Sequence, residues 1–97
     1  MSGIGLIVAE RQRQIEEEGW KPEHDDQHDD GSLISAAVAY CYCALGRDPE
    51  NTRGLYWPWL KRYWKPKSKA RNLIRAAAML AAELDRMERA GIDIYDR

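Results

Sequence analysis

The stretch from Ser68 to Gly91 constrains the fold most. Leu73, Ala77, Leu80, Leu84 and Met87 recur at spacings of four, three, four and three, the period of an α-helix and not of a strand. Ser68 can supply an N-cap oxygen, and Gly91 suits the left-handed turn that ends a helix. The spacing predicts a long helix from Ser68 to about Ala90, with those five residues as its core seam. Ala76, Ala78, Ala81 and Ala82 flank the seam and let a second helix approach closely.

Two more segments share that period. Ile4, Ile7, Val8, Arg11 and Ile15 form a stripe on a helix from about Ser2 to Glu18, with Gly19 as its stop. Ser32 can cap another from Leu33 to Leu45, ended by Gly46. Its face is Leu33, Ala37, Tyr40, Cys41 and Ala44, widened by Ile34, Val38 and Leu45, which suggests burial on two sides. RDPENTRG (47–54) reads as a turn-rich loop. LYWPWLKRYW (55–64) reads as a short aromatic helix, interrupted by Pro58 and ended by Pro66. The tail IDIYDR (92–97) has enough apolar side chains to dock. No strand pair stands out. The expected fold is all-α: a single domain, 1–97, of three main helices plus a short aromatic one. A chain this short buries only about 60–65% of its unfolded surface. The wide Ala/Leu faces of the second and last helices therefore predict a homo-oligomer.

Composition narrows the function classes. Hydrophobic residues are 44% and charged residues 32%, so the chain is not disordered by composition. No apolar run approaches the roughly 18 residues of a membrane span. Ile4 to Ala9 is apolar but is followed at once by Glu10 and Arg11, so it does not read as a signal peptide. Cys41 and Cys43 stand two apart on a helix and point to different faces, which suits small, reduced, buried residues. These features place the chain in the cytoplasm as an expectation. The formal net charge of −1 excludes a general polyanion binder, and the acidic stretch would repel duplex DNA.

That net charge hides a polarity along the chain. Residues 16–30 hold eight acids and one Lys, whereas 53–75 hold eight bases and no acid. In the acidic stretch, GWKPEHDDQHDDG (19–31) has no regular period and reads as coil with one turn after Pro22. It reads either as a solvated loop whose Asp residues favour the next helix's N-terminus, or as a metal site drawing on Glu17, His24, Asp26 and His28. In the basic stretch, rings stack on nucleobases and Lys or Arg neutralise phosphate. The candidate ligand residues are Arg53, Trp57, Trp59, Arg62, Tyr63, Lys69, Arg71 and Arg75. Trp57 and Trp64 also read as staples of a small core. A third reading pairs the acidic stretch of one subunit with the basic stretch of another. No GxxxxGKS loop, GxSxG elbow or CxxC pair is present, and no nucleophile–base pair can be assigned.

ERQRQIEEEGW (10–20), PEHDDQHDDG (22–31), AAVAYC (36–41), WPW (57–59), KP (65–66) and AAELDRMER (81–89) together resemble a group of small phage and prophage proteins. Their usual pattern is ERxRQ, GW, EHDDxH, an acidic GEL and AAxxYA. That group is distantly similar in helical pattern to the all-α MazG-type nucleotide pyrophosphohydrolases, which hold Mg²⁺ through EExxE on one helix and ExxD on another. This chain departs from both motifs. Glu16, Glu17 and Glu18 run into Gly19 and Trp20, Ser32 replaces the acid expected after Gly31, and Arg86 stands where an ExxD starting at Glu83 needs Asp. Asp85 and Glu88 come in the reverse order. Two-metal chemistry needs carboxylates converging on metals about 4 Å apart. The resemblance therefore implies a nucleotide-shaped pocket without turnover. It suggests a phage-encoded, non-enzymatic protein that sequesters a host immune signal, a cyclic nucleotide or an ADP-ribose derivative, as phage sponges do. The alternative is a Mg²⁺-dependent MazG-like nucleoside triphosphate pyrophosphohydrolase. Apart from Mg²⁺ in that case, no cofactor is expected.

Overall fold

The structure is a computed structural model describing residues 2–96; Met1 and Arg97, the last residue of the tail expected to dock, lie outside the described residues. Helix α1 spans Gly3–Glu17, α2 Pro22–Asp25, α3 Ser32–Ala44, α4 Pro49–Tyr56 and α5 Lys69–Arg89, with a 3-10 turn at Lys61–Tyr63. Among the described residues there is no strand, and no helix is long and apolar enough to cross a membrane. The all-α expectation holds.

The helix boundaries follow from local chemistry. Ser2 and Ser68 accept the N–H groups of Gly5 and Arg71, each at 3.1 Å, the side-chain caps that helix starts need. Gly19 takes φ 75° after α1, a left-handed geometry that costs glycine little, and this reverses the chain into the acidic loop. At α3 the expected cap is corrected. Gly31 is the N-cap, and it is the Asp30 carboxylate that accepts the Ser32 N–H, at 3.1 Å.

Of the expected loop, residues 49–54 belong to a helix. Asp48 accepts the Asn51 N–H at 2.9 Å, Pro49 occupies the first turn, and Glu50 binds Arg53 through that residue's Nε at 3.1 Å. The signal was an N-cap acid followed by proline and an acid. Gly54 and the β-branched Thr52 obscured it. The helix expected within 55–64 is correspondingly displaced: Trp57, Trp59 and Trp64 sit on a non-helical strap around the 3-10 turn.

Helix α5 is central, packing against α3 and α1, while α4 covers α3. The core joins Ala36, Ala37, Ala39 and Tyr40 of α3, Ala76 and Met79 of α5, and Trp57. Small residues on both helices allow the close approach. Trp57 and Trp64 both pack on this cluster, as expected.

The seam assigned to α5 is wrong by one residue. The buried positions include Asn72, Ala76, Met79, Glu83 and Arg86. Leu73, Leu80 and Leu84 are exposed, Leu80 by 42%. One residue on a helix is a rotation of about 100°. The small alanines of the buried stripe let α3 approach, and its polar members are tolerated there because each finds a partner. Glu83 takes Arg86 through both oxygens at 2.7 and 3.1 Å. Asn72 brackets Lys67, accepting its N–H at 2.8 Å and donating to its carbonyl at 3.1 Å. The stripe on α1 fails likewise. Its buried residues are Glu10 and Gln14, while Ile7, Arg11 and Ile15 are half-buried and Ile4 and Val8 are exposed. On α3 the expected face is buried at Leu33, Ala37, Tyr40 and Ala44, but Cys41 is half-buried and Ile34 and Leu45 face outward. Both cysteines are free thiols.

Candidate functional site

The acidic loop and the aromatic strap, far apart in sequence, together line one cavity of about 580 Å³. Its lining includes Trp20, His24, Asp25 and His28 from the loop, and Trp59 and Tyr63 from the strap. That volume lies within the range of roughly 300–1,000 Å³ that small-molecule sites occupy.

Each wall is held from behind. Arg11 of α1 donates to Asp25 Oδ2 at 2.5 Å and to the Trp20 carbonyl at 3.4 Å. Arg89 of α5 donates to Asp26 Oδ1 at 2.8 Å and to the Pro22 carbonyl at 3.4 Å. Two of the loop's acids, Asp25 and Asp26, thus find their bases on α1 and α5, outside the 53–75 stretch. The strap is anchored where Trp57 Nε1 donates to the Leu60 carbonyl at 3.1 Å and the Lys65 N–H donates to Tyr40 Oη at 3.3 Å. Arg75 also donates to the Lys65 carbonyl.

The rings form a continuous path from core to cavity. Tyr40 packs on Trp57 and Trp64, Trp57 meets Trp59 edge to face at 5.2 Å, and Trp59 meets Trp20 at 5.9 Å and His28 at 4.9 Å. Such contacts each add about 0.5–1.5 kcal/mol beyond area burial and fix ring orientation. Trp59 therefore enters the cavity as a braced platform.

Asp25 is the unusual group of the lining. It is 1% exposed, and its Oδ1 has no hydrogen-bond partner. Burial pushes its carboxyl above the usual range, only partly opposed by Arg11. Burial and the neighbouring His24 hold the His28 imidazole below its ordinary value. The cavity thus offers flat apolar faces, two imidazoles and carboxylates, a set suited to stacking on a heteroaromatic ring and hydrogen-bonding its edge.

Of the expected ligand residues, the structure brings Trp59 and Tyr63 together. Arg62 adjoins them, lying over the Tyr63 ring at 4.9 Å and donating to its hydroxyl at 3.0 Å. Trp57 lies in the core. Arg53 pairs with Glu50 at 2.9 Å, Arg71 faces Glu10 at 3.5 Å, Lys69 is exposed on the first turn of α5, and Arg75 is buried over Tyr40. The basic stretch is therefore not one face. Of the expected metal residues, His24 and His28 meet. Glu17 turns to Arg13 at 3.4 Å and Asp26 to Arg89. No three His, Cys, Asp or Glu side chains converge to hold a metal among the described residues.

Trp20 and Asp25 line the cavity although the sequence analysis does not single them out. The available signal was a lone Trp directly after the helix-ending Gly19, inside an otherwise polar loop. Compared with known protein families, curated proteins and solved structures, the chain matches none.

Proposed function

We propose that this chain is a non-enzymatic nucleotide-binding protein whose base site is the cavity between the acidic loop and the aromatic strap. The observation that carries the reading is the pairing of Trp20, Trp59 and Tyr63 with His24, His28 and Asp25 around a cavity of nucleoside size. The rings stack on the base, the imidazoles and carboxylates read its edge, and Arg62, which lies over the Tyr63 ring, offers a base for a phosphate. Such a binder suits the sequestration of a phage host's nucleotide signal, the role that the sequence resemblance suggests.

Turnover is disfavoured by the carboxylates themselves. Glu17 and Glu18 turn to Arg13 and Glu83 to Arg86, and among the described residues no three carboxylates converge as two-metal chemistry needs.

The second part of the proposal is self-association. Leu73, Leu80 and Leu84 are exposed on α5 at coiled-coil spacing, with Ile34 and Leu45 exposed on α3, and a second copy would cover the α5 stripe.

The test is a titration of linear and cyclic nucleotides followed by tryptophan fluorescence, then chromatography of the nucleotide after heat release. Quenching and recovery of intact nucleotide are expected. Trp59→Ala should cost about 1–3 kcal/mol of affinity, the worth of one stacked ring. Mg²⁺-dependent release of pyrophosphate would favour the MazG-like alternative, and absence of binding to any nucleotide would overturn the reading.

A further inference from the structure

His24 and His28 face each other across one turn, with their Nε2 atoms 3.3 Å apart and ring centroids 4.9 Å apart. Two imidazole nitrogens bound to one zinc ion at about 2.05 Å and the tetrahedral angle stand about 3.3 Å from each other. The contact is a hydrogen bond between the rings, and its length is also the spacing of a chelating pair. The turn is fixed on both sides of the histidines: the His28 N–H donates to the Asp25 carbonyl at 2.9 Å and the Asp26 N–H to the Pro22 carbonyl at 2.9 Å. Arg89 ties the same turn to α5, and His28 is braced by Trp59.

We propose that His24 Nε2 and His28 Nε2 chelate a borderline divalent transition ion of the Zn²⁺, Ni²⁺ or Cu²⁺ class at the wall of the cavity. Imidazole nitrogen selects these ions over Mg²⁺ and Ca²⁺, which prefer oxygen. Only two protein ligands are involved, so the remaining positions stay open. Both histidines line the cavity, and a ligand held there can complete the ion's shell. This answers a deficit of the site: its lining includes Glu18 and Asp25 but no Lys or Arg, whereas a phosphate needs positive charge. The ligand's part in this rests on the nucleotide reading, while the chelate does not.

The test is calorimetric and fluorescence titration of the untagged full chain with Zn²⁺, Ni²⁺ or Cu²⁺ alone, with Mg²⁺ as control. One ion per chain is expected, with Cu²⁺ quenching tryptophan emission because His28 touches Trp59. His24→Ala and His28→Ala should each weaken binding at least tenfold, since loss of even an outer-sphere partner costs about 10–100-fold. His24 is exposed, so its variant folds, and circular dichroism checks this. Absence of binding to all three ions, or binding equally tight in both variants, would overturn the chelate. Metal binding without nucleotide binding would leave the chelate standing and sink the function reading. Nucleotide binding to a chain that takes no metal would do the reverse.

Discussion

Glu10 shows how this protein tolerates charge in its interior. It is 2% exposed, yet it accepts Arg13 through Nε at 3.0 Å and Nη2 at 2.8 Å, and Gln14 at 3.2 Å. Burial raises its carboxyl pKa, but the Arg13 hydrogen bond and charge, helped by Gln14 and Arg75, outweigh that and leave it below the ordinary 4.5. A lowered folded value means stability that is present above pH 4.5 and lost as pH falls through the folded value. Asp25 has the opposite sign, since its raised value favours the fold as pH falls. Glu10→Gln should cost about 1–3 kcal/mol near neutral pH, because a buried amide cannot accept both Arg13 hydrogen bonds that the carboxylate accepts, while Arg13 keeps Glu18. Chemical denaturation at a series of pH values checks this: the acid-side loss of stability seen in the native chain should shrink in the variant.

Helix α4 and the strap after it connect local chemistry to the site. The Asp48 cap holds the start of α4, and Ser35 Oγ holds its end by donating to the Tyr56 carbonyl at 2.5 Å. Beyond that end the chain delivers Trp57 to the core and Trp59 to the cavity. Asp48→Ala should cost about 1 kcal/mol, as lost caps do, measured by urea midpoint with unchanged slope. Trp57→Ala removes the ring against which Tyr40, Trp59 and Trp64 pack. It should cost about 3–5 kcal/mol, and Trp59 should lose its fixed orientation, seen as weakened near-ultraviolet circular dichroism.

In the assembled molecule, α5 sends a stripe containing Asn72, Ala76, Met79, Glu83 and Arg86 inward and leaves the leucine stripe outside. A leucine seam buried within the protomer would make Leu80→Glu unfold the chain. With Leu80 exposed, the same change should dissociate the proposed oligomer and leave the helical signal intact. Sedimentation equilibrium with circular dichroism separates these results, and a monomeric native chain would refute self-association through α5.

The all-α fold, three of the principal helices, their glycine stops and the Ser68 cap were legible in the chain, because period and capping act over a few residues. Asp48-Pro49-Glu50 was legible in principle and was masked by Gly54. The rotation of α1 and α5 was not legible. Both helices carry more than one stripe at the same spacing, and apolarity alone favours the leucines. Packing chose the alanine-rich stripe because small side chains let α3 approach, and because the carboxylate, amide and guanidinium groups on it meet partners within reach. The cavity was still further from view. Its walls come from residues 18–33 and 58–63, and they face each other only because Arg11 and Arg89 draw the acidic loop onto α1 and α5 while Tyr40, Asn72 and Arg75 pin the strap. Charge runs along the chain suggested two separate faces. Ion pairs to α1 and α5 and the contacts of Trp59 with Trp20 and His28, all invisible to any local pattern, bring the acidic loop and the aromatic strap to one cavity.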